Sequence, residues 1–178
     1  VGYFNLIEKS DYFVFLDDVQ FDKRSWQQRN KILINFEEKF LTIPVFTKKK
    51  FFQNLNKVLI DNSRKWKAKH LKTIRHSYGN HPHFAQIFDL LEKIYNEDNN
   101  SLVHLNTKII STISLYLGFN CKFDFSSNFK KNNQKEKRLL DILKQVKAKK
   151  YISPIGSKNY IGKGDLFTNE QIEFEYID

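Results

Sequence analysis

The chain has 178 residues, a formal net charge of +10 and a single cysteine, Cys121. One cysteine excludes an internal disulfide and a thiolate metal cluster built by this chain alone, and no run reaches the roughly 18 apolar residues of a membrane span. The 40% hydrophobic content and the spread of aromatic side chains exclude a disordered chain, and the length suits a single domain over 1–178.

Phe4 to Ser10 reads as a short helix feeding an apolar strand at 12–17, which ends on Asp17 and Asp18. Lys31–Asn35 and Phe40–Phe46 predict a β-hairpin around a polar turn at 36–39. Val58–Ile60 is a short strand. From Ser63, a candidate N-cap, the pattern turns helical, with Trp66, His70, Ile74 and Tyr78 near one face. Gly79 and Pro82 stop that helix, Gly79 as a candidate for the position just past its end. Phe84, Ile87, Phe88, Leu91 and Ile94 repeat at helical spacing, and Leu102, Leu105, Ile109, Ile113 and Leu117 form the next stripe, ending at Gly118. Phe119–Phe125 alternates like a strand, and a lysine-rich stretch leads into a helix through Leu139, Ile142, Leu143 and Val146. Tyr151–Ser153 and Ile172–Ile177 complete the strands. Strands separated by helices predict an α/β fold, with a mixed β-sheet because of the hairpin and helices flanking it.

The segment from Ser10 to Asn30 is the densest candidate site. An apolar strand ending in two carboxylates, followed by Gln20, Lys23, Arg24, Trp26, Gln27, Gln28, Arg29 and Asn30, is how α/β proteins build a ligand crevice. The alternative is a solvated strand end whose acids pair with Lys23 or Arg24. Asp17 or Asp18 has the chemistry to accept hydrogen bonds from sugar hydroxyls, to hold a divalent cation, or to serve as a general base if desolvated. Arg24 and Arg29 carry the planar fork that grips phosphate or carboxylate. Trp26 either stacks on a base or sugar face or anchors the loop. His70 is a general base, a phosphate-oxygen donor or a packing residue. Ser153, Gly156, Ser157, Lys158 and Tyr160 follow a strand, where backbone N–H groups and Lys158 suit a phosphate, although Pro154 removes one donor. His76, His81 and His83 lack an acid or cysteine at ligand spacing, so no metal site is expected. Cys121 reads as a small buried apolar residue.

GYFNLIEKSDYFVFLDDVQFDKRSWQQRN resembles the opening of the WbqC-like family of bacterial proteins. FLTIPV at 40–45, WKAKHLKTIRHSY at 66–78, SLVHLN at 101–106, the Ser pair at 126–127 and YISPIGSKNYI at 151–161 continue the resemblance in family order. Two departures stand out. Family members usually open with a further short strand and a Gln-Pro-x-Tyr-x-Pro-like segment, whereas this chain opens at Val1 and contains no Met; a missing N-terminal strand is therefore expected. The tail also lacks the expected glycine-rich turn, which weakens it as a phosphate loop. The resemblance lifts the ligand-binding readings of Asp17, Asp18 and His70, which are expected to meet Arg24 and Arg29 in one pocket.

The resemblance implies an enzyme that modifies a nucleotide-linked or lipid-linked amino sugar in surface-polysaccharide or O-antigen assembly, by acyl or aminoacyl transfer. Acyl-CoA hexapeptide repeats and a Gly-x-Ser-x-Gly elbow are both absent. The expected partner is a phosphorylated small molecule, a sugar nucleotide, and the expected location is the cytoplasm. The alternatives are a non-catalytic sugar-nucleotide-binding or scaffolding subunit of the same pathway, and a nucleic-acid-binding protein. The charge permits the second, but the excess is mostly Lys, as an AT-rich genome would give, and is dispersed apart from 48–50 and 130–131. Neither a cofactor nor an oligomeric state can be read from the sequence.

Overall fold

In chain order the computed structural model, which describes residues 2–48 and 50–177, contains α1 (Gly2–Glu8), β1 (Tyr12–Phe15), the hairpin β2 (Arg29–Ile34) and β3 (Glu37–Thr42), then α2 (Trp66–Tyr78), α3 (Phe84–Asn96) and α4 (Leu102–Tyr116). There follow β4 (Lys122–Phe125), α5 (Lys135–Gln145), β5 (Lys150–Pro154), the short helices α6 (Lys158–Ile161) and α7 (Asp165–Thr168), and β6 (Glu173–Ile177). The fold is α/β and its pairing is mixed. The strands form three two-stranded ladders: β1 with β4 and β5 with β6 are parallel, and β2 with β3 is antiparallel. No helix among the described residues is long and apolar enough to cross a membrane.

The chain packs as two compact units, Val1–Leu16 with Ser114–Asp178, and Asp17–Ile113. In the first, Tyr12 to Phe15 pair with Lys122 to Phe125, and the rings of Phe15 and Phe123 stack at 5.5 Å. The Tyr12 hydroxyl donates to the Asp124 carboxylate at 2.6 Å. Leu140, Ile161, Phe167 and Ile172 form a buried cluster beside β5 and β6. Gly164 sits at φ +81° against the Phe174 ring, and an added Cβ would lie 2.1 Å from that ring. Only glycine meets both demands.

The second unit is built on Ile43, Val58, Ile60, Trp66, Ile94, Tyr95, Leu102 and Leu105. α2 lies along the hairpin: its His70 bonds the Thr42 carbonyl, and its Tyr78 hydroxyl accepts the Leu33 N–H at 2.8 Å. Several expectations shift in detail. The first strand stops at Phe15, short of the two acids. The hairpin turns on Asn35 and Phe36, at φ +49° and +65°, rather than on 36–39. Two left-handed residues match the twist of the flanking strands, so the tighter turn wins. Val58–Ile60 forms only isolated bridges, Val45 to Ile60 and Leu59 to Ser101, although Val58 and Ile60 are buried. Ser63 does not cap α2, because its side chain is drawn to Asp61 and the helix starts at Trp66. Gly79 stays right-handed at φ −56°, and His83 takes the left-handed position before α3.

Candidate functional site

In the 17–113 unit a groove of about 900 Å³ opens between the loop after Phe21, strand β3 and the start of α2. Among the described residues Lys23, Arg24, Arg64, Lys65 and Lys69 line it, against a single carboxylate, Asp61. Five cations facing one acid make a strongly positive concavity, and low-dielectric walls focus that field on an anion inside it.

Each wall is fixed by local chemistry. In the loop, the Asp22 N–H donates to Gln27 Oε1 at 2.8 Å, and the Ser25 hydroxyl donates to the Asp22 carbonyl at 2.7 Å. Arg24 has φ +63°, and its N–H donates to Gln28 Oε1 at 3.1 Å. Gln28 is buried and its Nε2 donates to the Ile43 carbonyl at 2.8 Å, so one amide ties the arginine's backbone to the core. Asn106 Nδ2 donates to the Gln27 carbonyl at 2.8 Å. The amide-rich stretch is therefore the scaffold that presents Lys23 and Arg24.

Asp61 and Asn62 build the opposite wall. Asp61 Oδ1 accepts the Ser63 hydroxyl at 2.5 Å and the Ser63 N–H at 3.2 Å, while Oδ2 accepts Arg64 Nε at 3.2 Å. The Ser63 bonds first, and Arg64 with them, hold this carboxyl below the usual range, so it stays ionised. Trp66 Nε1 donates to Asn62 Oδ1 at 3.0 Å, pinning the indole beneath the groove. Lys65 and Lys69, one helical turn apart, flank the buried pair Trp66 and His70.

His70 lines the groove but is 5% exposed. Its Nε2 lies 3.2 Å from the Thr42 carbonyl, which can only accept, so Nε2 carries the proton. Nδ1 then accepts from the Tyr95 hydroxyl at 3.5 Å, a phenol pushed up to about 12 by burial. Burial pushes the imidazole below its ordinary 6.5; the bond to Thr42 opposes that shift, and Lys69 adds to it. The ring is neutral at neutral pH, with both nitrogens engaged.

The remaining sequence candidates fall into three groups. Arg29 lies 4.0 Å above the Phe40 ring, which lines the groove, and Trp26, 68% exposed, sits 6.1 Å from the same ring. These two form a rim platform beside the groove. Asn30 accepts the Lys31 N–H on β2 and does not line the groove.

Asp17, Asp18 and Gln20 lie outside the groove lining. Asp17 is buried, and its carboxylate accepts Asn56 Nδ2 at 3.2 Å. The main chain after β1 is not left free for a ligand as the strand-end argument expects. The Asp17 and Val19 carbonyls accept the Asn56 and Leu55 N–H groups, the Phe21 N–H donates to Gln53, and Gln20 bridges Asn54.

Ser153, Gly156, Ser157, Lys158 and Tyr160 belong to the other unit. There Ser157 Oγ donates to the Pro154 carbonyl at 2.7 Å, so Ser153 Oγ donates to Ser157 Oγ at 2.7 Å. Both hydroxyls are buried and brace the turn, while Gly156, Lys158 and Tyr160 are exposed. In the same unit the first serine of the 126–127 pair is buried, and its Oγ accepts Arg138 Nη2 at 3.0 Å.

Sequence reasoning missed Arg64, Lys65 and Lys69 as groove residues. The signal was present: Lys65 and Lys69 repeat the four-residue step of Trp66 and His70 one position earlier. Among the described residues no group of three His, Cys, Asp or Glu side chains is placed to hold a metal ion.

Comparison with known proteins places the whole chain, across both units. It is 33% identical over 178 residues to the uncharacterized protein Rv1507c of Mycobacterium tuberculosis, covering 99% of this chain and 76% of that one. No solved structure matches it significantly. Residues 1–178 match the WbqC-like protein family throughout, and the chain belongs to that family.

Proposed function

We propose that this protein is a cytoplasmic transferase acting on a nucleotide-linked or lipid-linked amino sugar in surface-polysaccharide assembly, by acyl or aminoacyl transfer. The observation that carries the reading is the groove lined by Lys23, Arg24, Arg64, Lys65 and Lys69 against Asp61 alone. Guanidinium forks and ammonium groups at fixed positions suit a phosphate or diphosphate. In this reading the Trp26–Phe40–Arg29 platform at the rim offers ring faces to a base or sugar. His70 fixes β3 against α2 and so positions the groove rather than moving a proton. Asp17 and Asp18 act from behind the loop, with Asp17 holding the 53–56 segment through Asn56. Gly156, Lys158 and Tyr160 form a separate exposed turn offered to the same class of ligand.

A non-catalytic sugar-nucleotide-binding role has one observation in its favour. The two groove groups with proton-transfer chemistry, Asp61 and His70, both have hydrogen-bond partners. Titration calorimetry against UDP-, GDP- and dTDP-sugars tests the binding claim, and mass spectrometry of the sugar after incubation with acyl and aminoacyl donors tests turnover. Saturable binding with a mass gain supports the transferase, whereas binding without a mass gain for any donor supports the subunit reading. Binding to random duplex DNA with a steep salt slope, and to no sugar nucleotide, refutes both.

A further inference from the structure

The loop that leaves the groove at Thr47 exposes two phenylalanines side by side. Phe51 is 85% exposed and Phe52 83%, and exposed Lys48 and Lys50 precede them. Lys49, outside the described residues, adds a third lysine in sequence. Both ends of the loop are tied down: the Phe46 N–H donates to the Leu59 carbonyl at 3.0 Å, and the Gln53 carbonyl accepts the Phe21 N–H at 2.8 Å. Between them the Lys50 N–H donates to the Thr47 carbonyl at 3.2 Å.

Phe52 has φ +56°. A bulky side chain in the left-handed region is strained, and glycine or asparagine is the usual occupant. Packing of the ring within the protein does not compensate that strain, because the ring faces solvent. Adjacent aromatic rings within a cluster of lysines have the chemistry of a membrane interface: rings enter the headgroup region, and ammonium groups meet lipid phosphates. The cations of the neighbouring groove, and the net charge of +10, attract the same surface.

We infer that Phe51 and Phe52, with Lys48 and Lys50, dock this protein on an anionic lipid surface, the two rings entering the headgroup layer and the two lysines pairing with lipid phosphates. Because Thr47 lines the groove, docking would set the groove's mouth beside the membrane, where a lipid-linked substrate presents its headgroup. The inference goes beyond the transferase reading and does not need it, since lipid binding is read with no sugar present.

The test is co-flotation of the full chain with vesicles of equal parts phosphatidylcholine and phosphatidylglycerol, against vesicles of phosphatidylcholine alone. The inference predicts binding to the anionic vesicles only, at least tenfold weaker after Phe51→Ser with Phe52→Ser. Lys48→Gln with Lys50→Gln should weaken it by about fivefold per lysine. All four side chains are exposed, so circular dichroism should show intact folding. Absence of binding to anionic vesicles, or equal binding by the phenylalanine variant, overturns the proposal. So does sedimentation showing that the loop instead joins two copies, or duplex binding that depends on these phenylalanines while vesicle binding does not.

Discussion

Gln28 is the side chain on which the groove's loop depends, and its removal should be costly out of proportion to its size. Gln28→Ala leaves the Ile43 carbonyl without its side-chain donor in a buried setting, which costs about 1–3 kcal/mol. Ile43 is itself 8% exposed, so water cannot readily replace the amide. The Arg24 N–H lies on an exposed loop, and losing its acceptor adds about 0.5–1 kcal/mol. Burial lost with the side-chain stem adds about 1 kcal/mol. The sum is about 2.5–5 kcal/mol, and Arg24, held left-handed by that bond, should loosen with it. Urea unfolding followed by tryptophan fluorescence suits the measurement, because Trp26 and Trp66 both lie in the 17–113 unit. Gln27→Ala is the control: its amide bonds the Asp22 N–H on the exposed side of the loop and should cost about 1 kcal/mol or less. A Gln28→Ala cost no larger than that of Gln27→Ala would refute the reasoning.

Further outcomes follow from the same geometry. His70 is held neutral by burial, so its contribution is complete above the unfolded value of 6.5 and is lost as pH falls through the lowered folded value. The acid limb of stability against pH should therefore carry a slope of up to about 1.4 kcal/mol per pH unit that His70→Asn removes; an unchanged slope would contradict the assignment. Phe36, 97% exposed at φ +65°, gains nothing from its side chain, and Phe36→Gly should stabilise the hairpin by about 1 kcal/mol in the same urea assay. The Tyr12 phenol is raised to about 12, chiefly by its hydrogen bond to Asp124, and Asp124→Asn should bring its absorbance titration back toward 10.0.

The sequence carried the long helices well, because Phe84 to Ile94 and Leu102 to Leu117 repeat their apolar residues at helical spacing and are set by local pattern alone. It also pointed to the Asp17–Asn30 segment, from which Lys23 and Arg24 reach the groove. What it hid depends on partners far along the chain. Asp17 reads as a ligand carboxylate, and its bonds to Asn56 in the 53–56 segment are out of sight in the sequence. Gln28 reads as one amide among several, since its role comes from Ile43, fifteen residues on. Only the tertiary fold brings Arg64, Lys65 and Lys69 to the groove that Arg24 lines. Trp26 reads as a stacking residue or loop anchor and Arg29 as a phosphate fork, and their shared platform is hidden because Phe40 comes from the other strand of the hairpin. The turn at Asn35–Phe36 escaped because phenylalanine is a poor residue for φ above zero.

The claim that the groove holds a phosphorylated sugar is tested most directly by titration calorimetry with a sugar nucleotide on two variants. Arg24→Gln with Lys65→Gln removes one cation from each wall, whereas Lys48→Gln with Lys50→Gln changes only exposed, screened charges outside the lining. The account predicts that the first pair abolishes binding, a loss of at least about 2 kcal/mol, because charge-assisted contacts inside a groove are the strong ones. It predicts that the second pair changes affinity by less than about threefold. Weakening by the Lys48 and Lys50 change alone, with the Arg24 and Lys65 variant binding as the unaltered protein does, would contradict it.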